Sequence, residues 1–480
     1  MIVNLRQPFE RIPAVKPMIN IGACLDVPTG TIVKGHRGEH IINGGLSNLT
    51  GVVGIGNSFK STVLHYMMST ALVRVSDSST ANTYDTEMNI QEWHLKKIIP
   101  TSIELAGECV IDNGRWVITD KTIYSGNVWY AKLKEFLADK QKNIKSYEVN
   151  TPFADRDGKT PFRMMIPTFN QIDSFTEFET DDVTDMQDKN ELGDSGANTI
   201  HMRQGLAKMR LLMEAPRLNV GSDNYLLMTA HLGKETTMQN AGPGGSVPIV
   251  KLSTLKHGDK IKGVTDKFTF VMHNCWHPYQ VKPLINQGTK TVEYPKDEND
   301  KTHLDTDLNL IVMRNLRAKS GPSGMPVALI VSQSEGVLPT LTEFYNIKET
   351  DKFGIDGSNI SYYLDIYPDL KLSRTTVRSK IDKDPLLRRA INITSELQQI
   401  FSVWNIDSNL VCTMKQLYED IKKLGYDWNI LLNTRGWWSL DEDKLLPFLS
   451  SYDLLKLRVG EYKIFWLEDD KKTIKKQYAK

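Results

Sequence analysis

The run Gly54-Ile55-Gly56-Asn57-Ser58-Phe59-Lys60-Ser61-Thr62 constrains this chain more than any other, because of what stands on either side of it. Before it, Gly51-Val52-Val53-Gly54 reads as a short apolar strand. After it, Val63, Leu64, Met67, Met68, Ala71 and Leu72 recur at helical spacing, so Lys60 to Arg74 reads as a helix. A small-residue turn between strand and helix lets successive backbone N–H groups point inward on an anion, over the positive end of the helix. Lys60 supplies a cation for β- and γ-phosphates, and Ser61 a hydroxyl for Mg2+. The phosphate-binding set is therefore Gly54, Gly56, Asn57, Ser58, Phe59, Lys60, Ser61 and Thr62, with ATP and Mg2+ as the cofactors it suits. One residue departs from the usual pattern: Phe59 stands where Gly precedes the lysine. The plain alternative is an ordinary strand–turn–helix that happens to begin its helix with a lysine.

Three further residues fit a nucleotide-hydrolysing site. Glu87 ends the stretch Tyr84-Asp85-Thr86-Glu87, twenty-seven positions after Lys60, where a carboxylate can orient an attacking water. Asp173, in Ile172-Asp173-Ser174, can hold Mg2+ through water at a strand end, although Pro167, Asn170 and Gln171 interrupt the strand before it. His231 closes the apolar run Tyr225–Ala230, where a polar side chain can sense the γ-phosphate. Taken singly, each has an ordinary reading as a solvated strand end or a structural histidine. The argument rests on the four in this order.

Strands alternating with helices predict an α/β fold with a mainly parallel sheet. Residues 1–44 read as an arm or cap, 45–350 as the core, 351–384 as a linker and 385–480 as a small C-terminal α+β module. Within the core, 95–162 reads as irregular apart from a helix near Val128–Asp139, and 176–196 as an acidic loop before a helix over Ala197–Glu214. The Gly/Pro/Ser-rich stretch from Gly233 to Lys262 has the length of a functional loop. Strands are expected at Lys267–His273, Leu308–Arg314 and Pro326–Ser332. The C-terminal module offers helices at Met414–Leu424 and Asp441–Arg458 and a closing strand at Tyr462–Leu467, an order compatible with a winged helix.

Composition adds exclusions. With 59 Lys+Arg against 58 Asp+Glu, global charge names no partner, so a nucleic-acid surface has to come from local patches. Cys24, Cys109, Cys275 and Cys412 make no CxxC pair and suit reduced thiols. No apolar run reaches the ~18–20 residues of a spanning helix, and Met1–Pro13 has no signal-peptide core. The expectation is a cytoplasmic protein with no membrane partner.

These motifs together resemble the RecA recombinase family, and most of all its phage UvsX-like branch, which also tolerates Phe before the lysine of Ser58-Phe59-Lys60-Ser61. Asn43-Gly44-Gly45-Leu46 with Leu49–Gly54 resembles the family's entry into the phosphate loop. Tyr84-Asp85-Thr86-Glu87 resembles the strand of its catalytic glutamate, Ile172-Asp173-Ser174 its Walker B end, and Thr229-Ala230-His231 the strand end that couples γ-phosphate to DNA. The resemblance covers roughly residues 40–350. It implies a RecA-like ATPase core with catalytic Glu87, Lys60 and His231, and metal contacts from Ser61 and Asp173. It also implies two DNA loops, near 176–205 and 233–262, with Arg203, Lys251 and Lys256 as DNA contacts. Arg317 and Lys319 would reach a neighbouring subunit's ATP. The partners would be single- and double-stranded DNA and further copies of the chain, in a phage-infected host's cytoplasm.

Two departures stand out. Eighty-six positions separate Glu87 from Asp173, so an insertion lies between them. The first of the two implied DNA loops is acidic, with Lys189 its one lysine, so it would repel phosphate unless His201, Arg203, Lys208 and Arg210 compensate. The leading expectation is a DNA-dependent ATPase that forms recombination and repair filaments. The alternatives are a hexameric replicative helicase, or a nucleotide-binding scaffold without DNA activity.

Overall fold

The computed structural model describes residues 10–99, 109–189, 197–234, 259–262, 264, 267–300, 302–358 and 360–478. The N-terminal arm packs into the body: Ile19, Ile21 and Leu25 are fully buried. It leads through α1 (Asp26–Thr29) to the hairpin β1 (Thr31–Lys34) and β2 (His40–Asn43). Next comes β3 (Leu49–Gly54), buried at every position, and then α2 (Lys60–Val75). The chain continues through β4 (Thr80–Asp85) and α3 (Glu92–Ile98).

The inserted stretch, expected to be irregular apart from one helix, carries regular elements over its described residues. It contributes β5 (Trp116–Asp120), α4 (Gly126–Lys142), α5 (Ile144–Tyr147) and the hairpin β6 (Glu148–Ala154) with β7 (Pro161–Met165). After it come β8 (Thr168–Asp173), α6 (Asp181–Lys189), α7 (Ala197–Val220), β9 (Asn224–Lys234) and β10 (Asp259–Ile261). The acidic segment read as a loop is thus helical in part. Asp181 and Asp182 sit in the first turn of α6, where the helix dipole favours negative charge.

The remaining elements are α8 (Lys267–Val271), β11 (Asn274–Pro283), β12 (Leu308–Ala318), β13 (Pro326–Ser332), β14 (Gly336–Val337) and α9 (Pro339–Glu349). The strand expected at Lys267–His273 is the short helix α8. Phe268 and Met272, four apart, share one face and fill the space left beside Gly51, which a strand's alternation would not allow.

The stretch 351–384, expected as a linker, carries the antiparallel strands β15 (Ile355–Gly357), β16 (Tyr362–Leu364) and β17 (Tyr367–Leu372), then α10 (Val377–Lys383). The C-terminal part is helical: α11 (Pro385–Val403), α12 (Met414–Lys423), α13 (Trp428–Leu432) and α14 (Ser451–Arg458). The helix expected over Asp441–Arg458 begins only at Ser451, because Pro447 cannot continue one. Tyr462–Leu467 is not a strand either. Ile464, Trp466 and Leu467 are buried in the core, and its one bridge joins Leu467 to Ile474. A winged-helix arrangement is therefore absent among the described residues.

The main sheet runs β14-β13-β12-β11-β3-β9-β8-β4-β5, with β10 attached to β9. Its six strands from β11 to β5 are mutually parallel, and β12 to β14 extend it antiparallel. This is an α/β fold with a large mixed, mostly parallel sheet, compatible with a P-loop-like core. Alternation along β9 shows how both faces are covered. Tyr225 and Leu227 join the cluster under α2, while Leu226, Met228 and Ala230 join that under α7 and α8. A further cluster joins Leu310 and Ile330 of the sheet to Leu387, Leu417, Leu454 and Trp466, so the C-terminal helices share their core with the sheet. No described helix is long and apolar enough to cross a membrane.

Candidate functional site

From β3 the chain crosses to one side of the sheet and later returns to both of β3's neighbours, β9 and β11. That makes the carboxyl end of β3 a topological switch point, the place where open α/β sheets bind ligands. The register brings the expected residues to this end. Gly54 pairs with His231, Asp85 with Asp173, and Thr229 donates a hydrogen bond to Asp173 Oδ1.

The loop after β3 has the backbone that an anion cradle needs. Asn57 (φ 57) and Phe59 (φ 60, ψ 24) are both left-handed, so the chain turns sharply into α2. Left-handed backbone costs a non-glycine residue ~1–2 kcal/mol; Phe59 offsets part of this by packing its ring against the core under α2. At Gly54 a Cβ would meet Ser58 Oγ at 2.6 Å, so glycine is required there sterically. At Gly56 a Cβ would meet nothing within 4 Å. The first turn of α2 has neither a side-chain cap on its N–H groups nor an acidic residue, which leaves its positive end to attract an anion. Ser58 Oγ and Lys60 Nζ both donate to the Ile55 carbonyl, each at 2.7 Å, and hold the loop closed. Burial pulls the Lys60 ammonium below its usual pKa, and the charges of Asp173 and Glu87 oppose that shift.

Glu87 stands beside this loop. His231 Nε2 lies 2.9 Å from its Oε1, and Asn89 Nδ2 donates to its Oε2 at 3.0 Å. The His231 hydrogen bond, helped by Ser174 and Lys60, lowers the Glu87 carboxyl to about 2 against the opposing effect of burial. It is a carboxylate at any working pH. Its position is set by Asp85, whose two oxygens accept from the backbone N–H groups of Glu87, Met88, Asn89 and Ile90. A further reciprocal pair, between the Thr86 hydroxyl and the Ser174 backbone, ties the ends of β4 and β8 together.

Asp173 is buried, and His65 Nε2 lies 3.9 Å from its Oδ2. Ser61, Thr62 and Asp173 line one cleft with Asn89 and Trp93. A serine hydroxyl and a single carboxylate suit Mg2+, which is usually held by one or two carboxylates plus phosphate oxygens and water.

Lys60, Glu87, Asp173 and His231 therefore meet, with Ser61 and Thr62 beside Asp173, and the residues expected to contact DNA or a neighbouring subunit do not join them. Arg317 pairs with Cys275, which pairs with Gly51, about 10 Å along the strands from Gly54. Its guanidinium lies over Phe270, and Lys319 N–H donates to the His273 carbonyl. Arg203 is exposed on α7 beside Tyr130 and Asp182. Lys208, expected as a surface cation, is instead buried and donates to the Thr176 carbonyl. Lys251 and Lys256 lie outside the described residues.

Sequence reasoning missed Asp85, Asn89, Thr229 and His65. Asp85 had a readable signal, an acid at a strand end opening a turn, and Asn89 lies in that same turn two positions from Glu87, whereas Thr229 and His65 act through contacts distant in sequence. The fold and site define an α/β protein with a left-handed loop over an uncapped helix start and an ionised carboxylate beside it. No protein-family model matches the chain, and no curated protein matches it.

Proposed function

We propose that this chain is an ATPase of the RecA recombinase family, in its UvsX-like branch, that forms filaments on single-stranded DNA and pairs it with a homologous duplex. One observation carries the reading: the Glu87–His231 hydrogen bond beside Lys60, made across the carboxyl end of β8 between the parallel strands β4 and β9. Phosphoryl transfer to water needs positioning and charge rather than a covalent nucleophile. On this reading the backbone of Gly54–Lys60 cradles the phosphates, and Lys60 balances charge on the γ-phosphate. Ser61 and Asp173 would hold Mg2+, which neutralises phosphate charge. Glu87 orients the attacking water, and His231, on the strand that leads into 233–262, senses whether the γ-phosphate is present. Arg317 and Lys319, remote from their own loop, would serve the neighbouring subunit's nucleotide.

ATP turnover measured with and without single-stranded DNA tests the reading, alongside salt-titrated DNA binding. The expected result is DNA-stimulated turnover and tighter DNA binding with ATP. DNA affinity indifferent to ATP would sink it. The acidic first turn of α6 favours the scaffold alternative, for which ATP binds without DNA affinity at any salt concentration. Six-fold rings instead of filaments in electron microscopy would favour the helicase.

A further inference from the structure

A second cavity, of about 270 Å³, lies at the other end of α2, between that helix, the N-terminal arm, α9 and α11. Arg74, Arg388, Arg389 and Arg435 line it, against the carboxyl groups of Asp26, Glu343 and Glu396. Burial, the largest influence, raises all three carboxyls above their ordinary range, Asp26 to about 7 and Glu343 to about 8. The guanidiniums keep their charge, because arginine does not deprotonate in proteins. Arg435 is answered by Glu442, 3.1 Å away. Arg74 and Arg389 are buried against the three acids, whose protonated forms return no charge. Buried charge is costly without a counter-charge, so the cavity is short of an anion.

The polar atoms without partners say more about what is missing. Asn20 Oδ1, Thr70 Oγ1 and Trp437 Nε1 are buried atoms of cavity-lining residues and have no hydrogen-bond partner. The Asn20 amide nitrogen is committed to the Ile42 and Gly44 carbonyls, so its oxygen can only accept. The indole N–H of Trp437 can only donate, and the Thr70 hydroxyl can do either. Buried polar groups are nearly always satisfied, and these three call for a ligand that both accepts and donates. The entrance differs in character: Pro385, Leu445 and Leu446 are apolar, and Leu446 is 42% exposed.

We propose that this cavity binds a small organic anion that also carries a hydroxyl group, a short-chain 2-hydroxy carboxylate. Its carboxylate answers the arginines and accepts from Trp437 and Thr70, its hydroxyl donates to Asn20, and its alkyl end lies along the rim. The site is independent of nucleotide chemistry at Lys60, though Thr70 and Arg74 belong to the same helix as Lys60.

Calorimetric titration of the full chain with 2-hydroxybutyrate tests it, with butyrate lacking the hydroxyl and 1,2-butanediol lacking the charge. Saturable one-to-one binding of 2-hydroxybutyrate is expected, at least tenfold tighter than butyrate, with none for the diol. Thr70→Val keeps the side-chain shape and removes a hydroxyl that no protein group uses, so the melting midpoint should not fall while affinity drops at least fivefold. Trp437→Phe, which removes the indole N–H, should weaken binding by a similar factor. Binding should persist in Lys60→Ala, which separates this site from the nucleotide reading. The proposal is overturned by absence of saturable 2-hydroxybutyrate binding, by equal affinity for either counterpart, or by affinity unchanged in both Thr70→Val and Trp437→Phe.

Discussion

The two ends of α2 solve the same problem in opposite ways. At its start, Glu87 is half-buried yet held ionised, because His231, Ser174 and Lys60 all favour the charged form. At its far end, Glu343 and Asp26 are fully buried among other carboxyls, and desolvation outweighs Arg74. The same carboxyl chemistry is moved down at one end and up at the other. Burial alone therefore does not decide the charge of a carboxyl. Donors and burial compete: at Glu87 the His231 hydrogen bond prevails, whereas at Asp26 the Ile21 and Gly22 N–H groups together with Arg74 do not outweigh desolvation.

Four experiments test that contrast, from the largest effect to the smallest. Glu87→Gln keeps the shape and removes the charge, and on the proposed function it should lower ATP turnover by about 10²–10⁴-fold while nucleotide binding is retained, checked by steady-state kinetics and fluorescent-nucleotide titration. Wild-type turnover after this change would show that the ionised end has no catalytic use. Lys60→Ala should lower turnover by about 10²–10³-fold, as when one preorganised donor to developing charge is lost.

Glu343→Gln should act through pH. Its folded carboxyl titrates at about 8, against an ordinary 4.5. As pH rises between those values the unfolded chain ionises and the folded one does not, so wild type loses stability that the glutamine variant keeps. The difference in unfolding free energy, measured by denaturant titration, should grow across that window to about 2–4 kcal/mol and level off beyond it. Glu87 has the opposite sign: its stabilisation is present above pH 4.5 and lost as pH falls towards 2. Parallel pH slopes for the two variants would break the comparison. The smallest effect belongs to Phe59→Gly. Relief of left-handed strain and loss of ring packing oppose each other, so unfolding free energy should change by no more than about 1 kcal/mol. Phe59→Val, with a β-branched side chain at positive φ, should destabilise by more.

The strand, turn and helix around Lys60 were legible because their signals are local: apolar run, small residues, Lys-Ser and helical period fall within twenty-five positions. The strand of Asp173 was harder to see. Asn170 and Gln171 look wrong for a central strand, yet Asn170 donates to Asn224 and Gln171 meets His65 and Thr83, so both amides are satisfied inside the sheet. Those partners are distant in sequence, and no periodicity reveals them. The helix α11 left a local signal that went unread: Asp384 caps its first N–H groups and Pro385 opens it. The grouping of Asp26, Glu343 and Glu396 had no signature at all, because these buried carboxyls come from the arm, α9 and α11 and only the folded chain assembles them.

The turn fixed by Asp85 has a consequence for how substitutions spread their effects. One carboxylate takes four successive amides, so the aim of Glu87 is stored two positions upstream, in a side chain turned into the backbone of its own turn. A saturation screen scored on growth or turnover should find position 85 nearly as unforgiving as position 87. The two should differ in kind. Losses at 87 should appear as a sound fold with silent chemistry, and losses at 85 as scatter, many weakly active proteins in which the same reagent points in the wrong direction.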